Sequence, residues 1–149
     1  MNEPRQPRGS GVPPVSHRRG VAATELALTL PIVLLLALAA ADFGRIVHHD
    51  QVVSNAARTG AESGATRKFT DFTRPDWEAD VQQAVLDEMA NIPNFDPSQL
   101  QYDLSTTTDA DSLVRIVVEV GYPFRTAVAW PGLPSEVNLY QRYETRQFR

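Results

Sequence analysis

The chain has 149 residues, a formal net charge of −4 at neutral pH and no cysteine. That length allows one modest domain beyond any targeting segment. The acidic balance is no footprint for nucleic acid, and the lack of cysteine excludes disulfides, thiolate metal sites and a cysteine nucleophile.

The charge is unevenly placed. Residues 1–20 hold Arg5, Arg8, Arg18 and Arg19 against Glu3 alone, and taking that net +3 from −4 leaves −7 for the rest. Residues 1–17 are rich in Pro, Gly and Ser, cannot bury a core, and are expected to be disordered. With Arg18, Arg19 and Gly20 they form a basic leader over 1–20. Residues 21–41 are apolar apart from Glu25 and a few small polar groups. As a helix these 21 residues would span roughly 31 Å, matching a bilayer core of about 30 Å. Pro31 interrupts the run; in lipid it is tolerated as a kink.

Helical spacing continues past the run. Apolar or small residues recur at Phe43, Ile46, Val47, Val53, Ala56, Ala57, Gly60, Ala61 and Gly64 on one face, which predicts a helix extension over 42–66. The stripe Ala56, Ala57, Gly60, Ala61 and Gly64 is small enough for close approach of another helix. It serves either lateral packing against a neighbouring chain or packing on the chain's own domain.

Residues 67–149 read as an α+β domain. Thr66 to Thr73 is a loop. The next stretch is a second helix, with Thr73 and Asp76 as a capping box, Pro75 in the first turn, and an apolar face of Trp77, Val81, Ala84, Val85 and Met89. Three strand patterns follow, at "LQYDLST", "SLVRIVVEVGYPF" and "EVNLYQRYETRQF"; the last puts Val137, Leu139, Gln141 and Tyr143 on one side. Asp109 to Ser112 and the "WPGLP" cluster are the turns between them. The predicted architecture is three antiparallel strands covered by the second helix.

Four accounts of the apolar run compete. A secretory signal would be cut after a small residue such as Ala41, but its core would be long, proline-broken and opened by an acid. A plain single-pass anchor, with the arginines holding the amino terminus in the cytoplasm, leaves Glu25 unexplained. A buried soluble helix would not be so uniformly apolar in a chain this short. The fourth account uses every odd residue: a basic leader ending at Gly20, a helix starting at Val21, and Glu25 as its fifth residue. This is the spacing of type IV prepilin-like substrates, cut after the glycine by a membrane aspartyl peptidase. Glycine lets the backbone lie extended in a protease cleft. The cut frees a positive α-amino group at Val21, and a carboxylate in lipid is bearable beside such a partner. Glu25 of one subunit would then set register against the amine of a neighbour. None of the other seven glycines has a carboxylate five residues on.

Residues 18–65 resemble the TadE-like proteins, pseudopilins of the tight-adherence (Flp) pilus system. The matching elements are Arg19-Gly20, the small tract Val21 to Thr24, Glu25, Pro31, then Asp42-Phe43-Gly44-Arg45, then Asn55-Ala56-Ala57-Arg58-Thr59-Gly60-Ala61. Asp42 stands where Glu is more usual and Leu26 where Phe is common. The resemblance implies a single-pass pseudopilin of the inner membrane, its amino terminus cytoplasmic and its carboxy-terminal domain outside. It also implies cleavage by a prepilin peptidase and work with other pilins or pseudopilins, a secretion ATPase and membrane platform proteins. Asp42 and Arg45, three apart on a helix, can pair at the membrane surface; a solvated helix cap is the alternative.

No catalytic constellation is visible. Adjacent His48 and His49 point about 100° apart on a helix, so a solvated interfacial face fits them better than one metal. Asp109 and Asp111 lack the full calcium spacing and suit a turn. Asp87 and Glu88 read as an exposed helix face, and Trp77, Trp130, Tyr122 and Tyr143 as core. No cofactor is expected and the chain is not expected to be an enzyme. The competing function class is an anchored or secreted envelope binding module, cleaved by ordinary signal peptidase or not cleaved.

Overall fold

The computed structural model describes residues 18–110 and 113–147; residues 1–17 of the leader, and the disorder expected there, lie outside them. The elements are α1 (Arg18–Thr66), α2 (Arg74–Met89), a short 3-10 turn (Pro97–Gln99), β1 (Gln101–Thr108), β2 (Val114–Arg125) and β3 (Glu136–Arg146). The chain divides into two compact units, one ending at Ala37 and one spanning Leu38–Arg149. The fold is α+β, as predicted.

In the first unit α1 starts at Arg18, so the last three residues of the 1–20 leader, Arg18, Arg19 and Gly20, are helical. Arginine is a good helix former, and a single glycine costs only about 1 kcal/mol relative to alanine. The polar residues of this stretch turn their hydroxyls onto the helix itself. Thr24 Oγ1 donates to the carbonyls of Gly20 (3.1 Å) and Val21 (2.8 Å), and Thr29 Oγ1 to those of Glu25 (3.0 Å) and Leu26 (3.3 Å). Such bonds hide polar atoms from an apolar surround. The helix continues through Pro31. Its leucines stand in the open: Leu28 is 75% exposed and Leu36 66%. A soluble core helix would bury them, so the soluble-helix account falls. The exposed apolar stretch is the one candidate membrane-spanning helix among the described residues, which fits a single-pass membrane protein.

In the second unit the sheet has the order β1-β2-β3, both pairs antiparallel. Period-two alternation puts Ile116, Val118, Val120, Tyr122 and Phe124 of the central strand on one buried face. Tyr102 and Leu104 of β1 pair with Val120 and Val118, and Val137, Leu139, Gln141 and Tyr143 of β3 pair with Phe124, Tyr122, Val120 and Val118. The expected one-sided set of β3 is therefore the core side. The opposite face carries charge, with Arg125–Glu136, Arg115–Glu144 and Arg142–Glu119 paired along it.

Two helical segments cover the sheet, not one. Trp77, Val81, Val85 and Met89 of α2 are buried as predicted, while Ala84 is only half-buried. Beside them lie Val52, Val53, Ala56, Ala57, Ala61 and Ala65 of α1. A helix is about 10 Å across and three strands at roughly 4.8 Å spacing are wider, so α2 alone leaves a strand bare. The small stripe is what lets α2 approach. A Cβ placed on Gly60 would meet Val85 Cγ2 at 2.5 Å, and one on Gly64 would meet Trp77 Cζ2 at 3.0 Å. Of the two roles left open for Ala56, Ala57, Gly60, Ala61 and Gly64, the chain's own domain takes the surface. Trp77 Nε1 also donates to the Gly64 carbonyl (3.1 Å), one of the orphan acceptors of the last turn of α1.

The capping box is not formed. Thr73 sits at the N-cap, but its hydroxyl accepts from the Thr70 backbone N–H (3.0 Å) in the preceding turn and makes no cap bond. Asp76 remains in the first turn, where the helix dipole favours an acid.

Candidate functional site

Two groups of residues carry the functional expectations, one in each unit. In the first, Gly20 and Val21 lie in the opening turns of α1, both exposed, and a Cβ placed on Gly20 would meet nothing within 4 Å. The Gly20 carbonyl is held by Thr24. Glu25 is exposed one turn further on, the single charge between Val21 and Ala41.

The second group is built on Asp42. Helix α1 carries it one residue past the apolar run. The β2–β3 connection, "TAVAWPGLPS" at 126–135, reaches it from the other side. The base of that loop is closed by the Thr126 N–H donating to the Ser135 carbonyl (3.1 Å), and its tip is a tight turn in which the Leu133 N–H donates to the Trp130 carbonyl (3.2 Å). Pro131 pre-sets φ at the second position of that turn, and Gly132 supplies the positive φ of +81° at the third, as a type II turn requires. The turn aims the Trp130 indole at Asp42.

The Asp42 carboxylate accepts four bonds. The Ala127 N–H (3.0 Å) and Arg45 Nη1 (3.0 Å) reach Oδ1; Trp130 Nε1 (3.1 Å) and the Val128 N–H (3.4 Å) reach Oδ2. Asp42 is the one buried charged residue among those described, 7% exposed. The Ala127 N–H, then the Trp130 indole, hold its carboxyl below the usual aspartate range; burial opposes them, and Val128 and Arg45 add to the lowering. The expected Asp42–Arg45 pair is present, but the solvated-cap alternative fails because the acid is shielded and fully bonded. The Arg45 guanidinium also lies over the Phe124 ring, 5.4 Å from its centroid.

Phe43, Ile46, Phe124, Trp130 and Leu133 wall an apolar cleft of about 260 Å³ beside the clamp. Phe43 is 70% exposed and Leu133 67%. A Cβ placed on Gly44 would meet nothing within 4 Å. Trp130 is half-buried, a clamp residue and not part of the main core.

The "HHD" segment does not converge. His48 is exposed, His49 packs edge-on against Phe124 (5.1 Å between centroids), and Asp50 Oδ1 accepts from Gln141 Nε2 (2.8 Å). Burial, then the charges of Arg45 and His48, push the His49 imidazole down. Asp109 is engaged by Arg115 through two bonds, at 3.2 and 3.1 Å, and by Arg146 at 3.2 Å, so it serves an ion-pair knot at the strand ends. Asp111 lies outside the described residues. Among the described residues no group of three or more His, Asp or Glu could hold a metal.

Sequence spacing found Asp42 and Arg45 but missed their other partners. Ala127, Val128 and Trp130 stand 85 to 88 positions away. The spare tryptophan in a proline–glycine turn was the only signal for them.

Residues 20–62 match the family model described as TadE-like protein. That segment carries Gly20, Glu25, Asp42, Arg45 and the stripe through Ala61, and the match agrees with the resemblance in the sequence. TadE-like proteins are associated with Tad pili, so the match points to a Tad pilus-associated protein. No curated protein and no solved structure matches the chain.

Proposed function

We propose that this chain is a membrane-anchored pseudopilin, a minor pilin-like subunit of Tad (Flp) pilus assembly or secretion. The observation that carries the proposal is the family match over residues 20–62, which takes in the exposed apolar stretch 21–41 with Glu25 as its single charge. A prepilin peptidase cuts after Gly20 once the first turn of α1 unwinds and the Thr24 bond to the Gly20 carbonyl opens. The helix from Val21 to Ala41 then holds the protein in the inner membrane, with the domain from residue 42 outside. Glu25 faces the new amine of a neighbouring pilin or pseudopilin, a pairing worth far more in lipid than in water. Lateral contact is made by this exposed segment, since the stripe beyond it is occupied. Platform proteins and an ATPase of the same system are the working partners. The protein is a structural subunit and not an enzyme.

The test is a Glu25→Ala variant in cells that assemble the pilus, compared with a bulky replacement at Gly20. Glu25→Ala is expected to be cleaved normally and to fail in assembly; Gly20→Ile is expected to remain uncut. Normal assembly by Glu25→Ala would contradict the register role.

A further inference from the structure

The loop clamped by Asp42 has no charge over its ten residues, 126–135, between Arg125 and Glu136. Its tip exposes Leu133, and Phe43 stands exposed beside it on α1. Water is a poor neighbour for these groups, and the acid that ties the loop down is one residue past the apolar run. A loop bonded to that residue by two backbone N–H groups and an indole must lie where the chain leaves the bilayer. Its composition suits that place: Trp130 offers an apolar ring with its N–H already satisfied, as aromatic residues do at membrane interfaces.

We propose that the 126–135 turn is a second membrane contact: Leu133, Trp130 and Phe43 enter the headgroup layer of the same bilayer that the helix spans, and Asp42 holds them there. The occupant of the apolar cleft is lipid. The inference rests on the single-pass anchor and not on the pilus role.

The chain has no cysteine, so single-cysteine labels need no background removal. The full chain would be placed in vesicles of phosphatidylethanolamine and phosphatidylglycerol, with nitroxides at Leu133→Cys, Leu34→Cys or Thr107→Cys. Access to oxygen is compared with access to a water-soluble nickel chelate. The expected result is several-fold lower nickel access at 133 than at 107, with oxygen access retained, and the deepest reading at 34. Asp42→Asn should raise nickel access at 133 toward that at 107. A label at 133 as open to nickel as the one at 107, while 34 reads as bilayer, overturns the proposal and leaves the anchor standing. Shielding of 133 from both reagents would indicate a protein partner and also overturns it. No effect of Asp42→Asn would remove the clamp's part. A label at 34 open to nickel would remove the anchor, and the inference with it.

Discussion

Asp42 is an acid whose ionised form is stabilised by bonds from three donors on a distant loop and one arginine on its own helix. Because those bonds lower its pKa in the folded state, the folded chain holds fewer protons near pH 4 than the unfolded chain does. The clamp's contribution is therefore complete above the ordinary aspartate value of 3.8 and is lost as pH falls through the lower folded value. The Trp130 indole N–H resonance should report this, titrating with a midpoint below 3.8. A midpoint at or above that value would mean the acid is not stabilised by the loop. Asp42→Asn removes the charge while keeping one acceptor, so amide exchange should quicken at Ala127 and Val128 while the sheet amides stay protected. Uniform loss of protection would place Asp42 in the core's stability instead. The pair Asp42–Arg45 was legible because three-residue spacing on a helix is a local rule. The loop donors were not, since nothing in a linear pattern says which turn folds back on which helix end.

At the scale of elements, the two-layer packing gives glycines of one helix opposite expectations. At Gly60 an added methyl meets Val85 closer than any real contact, so overpacking of about 1–3 kcal/mol exceeds the helix-propensity gain of about 1 kcal/mol; Gly60→Ala is expected to destabilise the domain. At Gly44 the space is open, and Gly44→Ala should be neutral or stabilise by up to about 1 kcal/mol. Met89→Ala, at a fully buried position, should cost roughly 2–5 kcal/mol. Denaturant unfolding followed by Trp77 fluorescence would check all three, and the reverse order for the glycines would contradict the packing. The element sequence itself was legible: apolar periodicity marked both helices, and alternation marked three strands and grouped Val137, Leu139, Gln141 and Tyr143 on one side of β3, though not which side faces the core. What the pattern left open was the use of the small stripe. Alanine and glycine at helical spacing suit a neighbour chain and the chain's own second helix equally. The Thr73 cap failed for a similar reason, because a hydroxyl near a helix start can be taken by the turn before it.

At the scale of the whole molecule, an exposed apolar stretch with Glu25 as its single charge leads into an α+β domain whose 126–135 loop is bonded to Asp42. The proposed function turns on the opening of helix α1. Gly20 is folded into the first turns of α1, yet the proposed cut lies directly after it, so processing requires local unwinding at that end. Unwinding there costs little, since terminal turns lack half of their backbone bonds. The most direct measurement is the amino-terminal residue of the protein purified from its native membrane, read by peptide mass spectrometry. The account predicts a start at Val21. A start at Asp42 would mean an ordinary signal peptide and a released domain, and an intact Met1 would mean a plain anchor; either would contradict prepilin-type processing.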